Sequence, residues 1–520
     1  MKLNISIFLS FFVLLMFGCT KLDEKFNGDL PDLASKGGSA NIDALLRGVY
    51  TSMHVTYQDQ ANAFALWEMS TDELIGPTRG PDWDDNGAWR VLHAHKWDGE
   101  NVHLRDVFNQ LLGTVFAATD LLRFDSTSSK AAEARYLRAF SNFMLLDGFD
   151  QVPYRDPGES TLKPSRVRKG LEALDNIVSE INKALPSLPD APAGKATKNA
   201  ARVLLMKCYL NKGVYANRAA PTFAAADMNQ VITLADQIIN TGTFSFSANY
   251  FDNFAPANTT IGKENIWTQE NVSGVAYGGD GNTVRSRYHA VMHYNQNPGG
   301  WNGFTTLSEF YNKFEAADKR RGVAYPTAGV ANPGNRVNVG FLVGQQYNWA
   351  NDAPLKDRTG LPLAFTPEVK LIENGANFEI TGIRAYKYPI DYANDGSGNV
   401  DNDYVFFRLA DVLLMKAEAI LRGGTGTSAG TYGSTPLAIV NSIRTNRGAS
   451  ALASVNLDQL LEERGRELYL ENWRRQDLIR FGKFLQPWQE KAASDPKYLL
   501  FAIPNQQLAV NPNLKPNPGY

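Results

Sequence analysis

Between residues 70 and 101 the chain concentrates side chains able to do chemistry: Asp72, Glu73, Arg79, Asp82, Trp83, Asp84, Asp85, Trp89, His93, His95 and Trp97. Three of the nine tryptophans fall within fifteen positions here. Pro77, Gly80, Pro81 and Gly87 keep part of the segment out of helix. Rings interleaved with carboxylates and an arginine suit a sugar, whose C–H face stacks on an indole while its hydroxyls bond to Asp, Asn and Arg. Ligand sites commonly combine apolar platforms with a few placed polar groups in this way. A second aromatic locus holds Tyr277, Tyr288, Tyr294, Trp301 and Phe304. In it, Gly299-Gly300-Trp301-Asn302-Gly303 sets a tryptophan between glycines, and a large ring in a mobile glycine loop is hard to explain as core.

Other chemistries fit less well. Asp82-Trp83-Asp84-Asp85-Asn86-Gly87 matches the opening of a calcium loop, but the twelfth place, which needs a bidentate Glu, is His93. His93-x-His95 and His289-x₃-His293 read as structural histidines; the second pair lacks the inner Glu of a zinc-protease helix, and Tyr288 and Tyr294 beside it point to strand or loop. A glycosidase needs two carboxylates facing across a sugar, and the acidic loop offers many pairings without singling one out. There is no nucleophile elbow and no phosphate-binding glycine loop. Cys208 sits on a helical apolar face, as a small buried hydrophobe would. The residues assign no catalytic, metal or cofactor site.

The elements that must position these residues are mainly helical. Apolar residues recur at helical spacing over residues 41–53, 102–124, 131–149, 167–185, 199–215 and 228–239. Residues 241–403 are rich in Gly, Asn, Pro and aromatics, with short apolar runs, and read as an irregular region with a few strands. Helix is expected again over 404–421, 437–444 and 457–484, with a solvated or salt-bridged short helix near 315–321 and an extended tail over 501–520. Val203-Leu204-Leu205-Met206-Lys207 recurs as Val412-Leu413-Leu414-Met415-Lys416, each copy mid-helix with alanines beside it. Repeated helix pairs with small contact residues point to a tetratricopeptide-like solenoid.

The chain's 520 residues carry 52 Lys and Arg against 54 Asp and Glu, a balance that argues against a nucleic-acid binder. Two cysteines rule out a disulfide framework. Lys2 precedes an apolar run over residues 5–17, too short for a bilayer core of roughly 30 Å and suited to a secretory signal. Leu15-Met16-Phe17-Gly18-Cys19 resembles a lipobox, which makes residues 1–18 a signal peptide, Cys19 the lipidated residue and 19–38 a tether.

Several motifs together resemble the SusD/RagB family of outer-membrane nutrient-uptake lipoproteins. They are Thr71-Asp72-Glu73 through Trp83-Asp84-Asp85, Ala134-x₂-Leu137-Arg138-Ala139, Tyr404-x₃-Arg408-Leu409-Ala410-Asp411, Ile443-Arg444-x₂-Arg447, and Glu462-Glu463-Arg464-x-Arg466-Glu467-Leu468 running into Arg474-Arg475-x-Asp477. The ending Asn511-Pro512-Asn513-Leu514-x₂-Asn517-Pro518-Gly519-Tyr520 is similar too. The resemblance implies four tetratricopeptide-like helix pairs with a large loop-rich ligand-binding region and few short strands. It divides the chain into a helical part over 39–240 carrying the binding loop 70–101, an irregular region over 241–403, and a helical part with tail over 404–520, integrated into one domain over 39–520. It implies a non-enzymatic, cofactor-free protein, lipid-anchored on the outside of the outer membrane, that captures oligosaccharides over a SusC-like TonB-dependent transporter. Asp72, Arg79, Trp83 and Trp301 occupy the matching binding stretches; Trp97 and Tyr277 join them from the two aromatic loci. Arg474 and Asp477 are expected to fix helices. A peptide ligand, which the family also includes, and a secreted glycoside hydrolase remain the alternatives.

Overall fold

Several helices in this chain begin where a short polar side chain takes a free backbone N–H. The computed structural model describes residues 40–80, 82–275 and 284–520. The signal segment, Cys19, the tether to residue 38, and Tyr277 lie outside these residues. The chain divides into two units, Met1–Asn41 and Ile42–Tyr520, and the fold described below is that of the second. Its principal helices are α1 (Ile42–Gln58), α2 (Ala63–Met69), α3 (Ala88–His93), α4 (Val102–Phe124), α5 (Ser129–Phe149), α6 (Gly170–Ala184), α7 (Lys198–Leu210), α8 (Ala225–Ile239), α9 (Val284–His289), α10 (Leu409–Leu421), α11 (Pro436–Asn446), α12 (Leu457–Leu468) and α13 (Arg474–Arg480). Asn101 accepts the His103 and Leu104 N–H groups at the start of α4. Ser128, Thr197 and Thr435 cap α5, α7 and α11 likewise, and Asn456 with Gln459 forms a capping box on α12.

Three helix pairs follow in chain order, α4 with α5, α6 with α7, and α8 with α10. α5 lies between α4 and α6, α7 packs on α8, and α11 and α12 both lie against α10. From Ala131 on, α5 is buried nearly all round, as a central helix must be. The duplicated pentapeptide sits on α7 and α10, which flank α8. There the two lysines reach across: Lys207 Nζ lies 2.7 Å from Asp411 at the start of α10, and Lys416 pairs with Asp236 on α8. Cys208 is buried beside them, and burial pushes its thiol up.

The third pair is interrupted. Residues 240–408 are inserted between α8 and α10 as loops, short helical turns and short strands. Val339–Leu342 is the middle strand of a three-stranded sheet between Gly322–Val323 and Arg384–Tyr386. Asn265–Gln269 pairs antiparallel with Tyr404–Arg408, from Tyr404↔Gln269 to Arg408↔Asn265. From the binding loop, Thr78–Arg79 pairs parallel with Ile372–Glu373, so the loop and the insertion share a sheet.

Three expected elements differ. Helix over 404–421 starts only at Leu409; the run Tyr404–Arg408 is a strand, buried on both faces, as its Val and two Phe favour. Helix over 457–484 breaks after Leu468, because Leu470 and Asn472 take φ of 57° and 68°, which a right-handed helix cannot hold. The charged stretch near 315–321 is a single tight turn, Lys319–Arg321, in place of a short helix, and of the two expected states Arg320 takes the salt-bridged one, buried. Arg320 belongs to an ion network closed inside the protein. It pairs with Asp318 and Glu463 at 2.7 Å, while Arg408 pairs with Glu264 at 3.0 Å and Glu467 at 2.8 Å, and Arg447 pairs with the same two glutamates at 2.7 and 2.8 Å. These charges tie the insertion to α11 and α12. Nearby, Arg464 pairs with Asp411 and Asp477, so Asp477 fixes helices as expected. The tail lies over the body with one helical turn, Asn505–Val510, and Asn517 donates to the Phe149 and Phe501 carbonyls at 2.9 Å.

Candidate functional site

Residues 284–304 fold back on themselves after α9. Trp301 N–H donates to the His289 carbonyl at 2.7 Å, Gly300 N–H to His293 at 3.0 Å, Asn302 N–H to Met292 at 2.7 Å, and Gly303 N–H to Ala290 at 2.8 Å. The glycines serve close approach, not mobility. A Cβ on Gly300 would sit 2.2 Å from the Met292 carbonyl oxygen, and one on Gly303 would sit 2.3 Å from the Trp83 ring. Two arginines clamp the fold-back from below. Arg79 donates to the carbonyls of Asn302 at 2.7 Å, Thr381 at 2.9 Å and Gly303. Arg384 donates to Asn302 Oδ1 and the Glu379 carbonyl, both at 2.8 Å. Burial lowers both guanidinium pKa values, that of Arg79 to about 10.

So held, Trp301 presents its ring outward, 37% exposed, and the other described tryptophans are buried or half-buried. His289 lies beside it, ring centroids 5.5 Å apart, fixed by the Gly299 carbonyl at 3.0 Å and Asp395 at 2.8 Å. Trp83 is half-buried, its Nε1 donating to the Trp301 carbonyl at 2.9 Å and its ring meeting the Phe304 edge at 4.8 Å. Its φ of 60° is costly for so bulky a side chain and is maintained by these contacts. Next to Trp83 in sequence, Asp82 accepts the Tyr294 hydroxyl at 3.0 Å. Arg358 lies over the Tyr294 ring at 3.9 Å and pairs with Glu379 at 2.6 Å and Asp82 at 3.4 Å. The result is one surface with two indoles, a phenol and a rim of Asp82, Arg358 and Glu379.

Three expected contact residues are elsewhere engaged. Asp72 is buried and gripped by both arms of the Arg474 fork at 2.7 Å and by Lys313 at 3.1 Å. Burial alone would raise its carboxyl, but Arg474 and Lys313 outweigh it and hold the group below the usual carboxylate range. Arg79 is buried and acts through the Trp301 fold-back. Trp97 is buried among Tyr498 and Phe501, its Nε1 donating to the Leu500 carbonyl at 3.3 Å. Long-range packing by the C-terminal tail captures Trp97, which local sequence could not show. His93 bonds to the Leu74 and Gln489 carbonyls, and His95 to Ser70 and Ser494. His289, expected in strand or loop, ends the short helix α9. The carboxylates of the calcium-like stretch diverge: Asp82 to Tyr294, Asp84 to Arg90, Asp85 to Trp89. Among the described residues, no group of three or more His, Cys, Asp or Glu is gathered to hold a metal. Sequence reading missed Arg358 and Glu379, which lie in loops with no local pattern; the aromatic neighbour Tyr294 was the available signal.

Residues 263–520 match the model of the SusD family. Over 523 aligned residues the chain is 26% identical to the starch-binding protein SusD of Bacteroides thetaiotaomicron, covering 91% of this chain and 89% of that protein. Residues 263–520 belong to the SusD family, and the likeness to the starch-binding protein SusD runs over nearly the whole chain. Solved structures share its fold. A SusD superfamily protein from Parabacteroides distasonis superposes with a TM-score of 0.70 at 18% identity, over 94% of this chain and 99% of that one. Surface glycan-binding protein A from Bacteroides thetaiotaomicron, in complex with laminarihexaose, superposes with a TM-score of 0.68 at 17% identity, over 92% and 98%. The SusD-family motifs of this chain fall largely in the buried network: Arg408, Arg444, Arg447, Glu463, Arg464 and Glu467 are all buried. Those positions build the scaffold; the exposed Trp301 surface lies on the loops it carries.

Proposed function

We propose that this protein captures oligosaccharides at the cell surface and passes them to a SusC-type TonB-dependent outer-membrane transporter, binding without turnover. The outward-held ring of Trp301, braced by Trp83, carries the reading: a rigid exposed indole beside a carboxylate–arginine rim is what a sugar ring needs. The starch-binding protein and the laminarihexaose complex among its relatives support a glycan as ligand. Binding without turnover is supported by the engagement of the rim carboxylates, Asp82 with Tyr294 and Arg358, and Glu379 with Arg358 and His293. Anchoring through Cys19 on the outer face of the outer membrane is supported by the apolar run before it. No helix among the described residues is long and apolar enough to cross a membrane.

An open platform with two or three rings gives few fully enclosed contacts, so dissociation constants should lie between about 1 μM and 1 mM, or about −8 to −4 kcal/mol. Calorimetric titration against maltohexaose, laminarihexaose and other neutral oligosaccharides tests the site. Trp301→Ala should weaken binding at least tenfold, about 1.4 kcal/mol, with an unchanged melting temperature, because the ring contributes little to the core. Unaltered affinity in that variant would sink the assignment.

A further inference from the structure

A cavity of about 680 Å³ opens beside α12 and α13, within the size range of small-molecule sites. It is lined by Asp72 rather than by the Trp301 surface, so it is a different place on the protein. Its wall carries five carboxylates and five cationic side chains; four of the carboxylates are held in ion pairs and the fifth, Glu309, accepts the Gln489 N–H at 2.8 Å. Asp72 holds Arg474 and Lys313, Lys313 also holds Glu462 at 2.7 Å, and Lys483 holds Asp458 at 3.0 Å. The remaining wall is three leucines, Pro487, Trp488 and the amides of Gln459 and Gln486; Lys491 covers one face of the Trp488 ring at 3.8 Å, and the buried indole N–H has no acceptor in the protein.

We propose that this cavity is a second saccharide subsite, taking a neutral sugar unit of the glycan bound at the Trp301 surface or of another chain. The ligand class rests on the glycan reading above; the place rests on the cavity itself. A charged ligand would have to break an existing ion pair, or displace the Gln489 N–H from Glu309, and lose its own hydration, which costs more than the new pair returns. A sugar hydroxyl both donates and accepts. It can bond a carboxylate and its ammonium partner together without separating them. The indole supplies the apolar face on which a pyranose ring rests. Residues 72–79 join the two places, and seven residues of chain span at most about 25 Å. One oligosaccharide that engaged both would gain from the raised local concentration of its second unit.

The test is calorimetry on the full chain with laminarihexaose and maltohexaose, comparing wild type, Trp301→Ala, Trp488→Ala and Lys483→Met, each checked for folding by thermal melting. Lys483 is a partly exposed side chain, so Lys483→Met guards against a Trp488 variant that fails to fold. The expected result is residual binding in Trp301→Ala that falls at least fivefold further when Trp488→Ala or Lys483→Met is added. Residual binding indifferent to both added changes overturns the cavity subsite and leaves the Trp301 surface standing. Complete loss in Trp301→Ala, with wild-type affinity and stoichiometry in both cavity variants, does the same. Loss confined to the cavity variants supports the subsite while removing the Trp301 reading. No binding by folded wild type overturns both.

Discussion

Gly303 is fixed by contact: the Trp83 ring occupies the space a Cβ would take, at 2.3 Å. Gly303→Ala should therefore displace Trp83, break its bond to the Trp301 carbonyl and weaken saccharide binding about fivefold or more, at a stability cost of about 1–3 kcal/mol typical of overpacking. Calorimetry with tryptophan fluorescence checks both effects. A second residue-scale prediction concerns Asp403, which burial pushes up to about 7 despite its bonds from Asn271 N–H and Thr268. Its folded pKa exceeds the unfolded value, so folding takes up a proton between about pH 4 and 7 and stability falls across that window. Asp403→Asn keeps an acceptor for Asn271 and removes the titration. Its advantage over wild type should grow through that window to a few kcal/mol, about 1.4 per pKa unit; denaturant melts at about pH 4 and pH 8 measure it, and equal differences at the two would refute the idea.

At the scale of elements, the break between α12 and α13 is held by two carboxyls from the first helical layer. Glu73 accepts the Leu470 N–H at 2.9 Å and Glu68 accepts the Asn472 N–H at 2.5 Å, serving residues whose left-handed backbone would otherwise be unsupported. Burial first, then the neighbouring Glu68 carboxylate, pushes the Glu73 carboxyl well above its usual range, which favours its neutral form. A neutral amide should serve as well. Glu73→Gln is expected to change stability by less than about 1 kcal/mol, whereas Glu73→Ala, which strands a buried N–H, should cost about 2–3 kcal/mol. Urea denaturation of the two variants distinguishes them, and equal losses would show that the charge matters here.

The whole molecule is bound by charges closed inside it. Glu463 is held down to about 2: burial would raise it, but Arg320, Arg466 and Arg444 overcome that, and Glu418 is brought to about 2 by Arg480 and Arg422 in the same way. Both folded values lie below the unfolded one, so their stabilisation is present above about pH 4.5 and is lost as pH falls toward 2. His54 and His103, lowered to about 4 chiefly by burial, act in the same direction, their contribution fading as pH falls from about 6.5 to 4. Melting temperature should therefore drop steeply below about pH 4.5, by the equivalent of about 3 kcal/mol for each deeply paired glutamate. Calorimetric scans from neutral to acid pH check this; a flat profile down to about pH 3 would contradict it.

Helix periodicity and the duplicated pentapeptide are local properties of the chain, and they made the helical scaffold legible together with the place of the irregular insertion. The same holds for the glycine-flanked Trp301, whose exposure follows from a ring that no local apolar face can cover. Other outcomes depended on partners far away in sequence. Trp97 looks like Trp83 in composition and spacing, yet the tail residues Tyr498 and Phe501 bury it. Asp72 and Arg79 sit in a polar loop, yet Arg474 takes one and the carbonyls around Asn302 take the other. The strand at Tyr404–Arg408 and the break after Leu468 likewise rest on Asn265–Gln269 and on Glu68 and Glu73. By itself the sequence determined which segments are helical and which aromatic loci are candidates, because these follow from neighbours within a few residues. Tertiary structure decided which polar groups are spent on the scaffold and which rings face solvent, because burial and ion pairing depend on which side chains, distant in sequence, the fold packs against them.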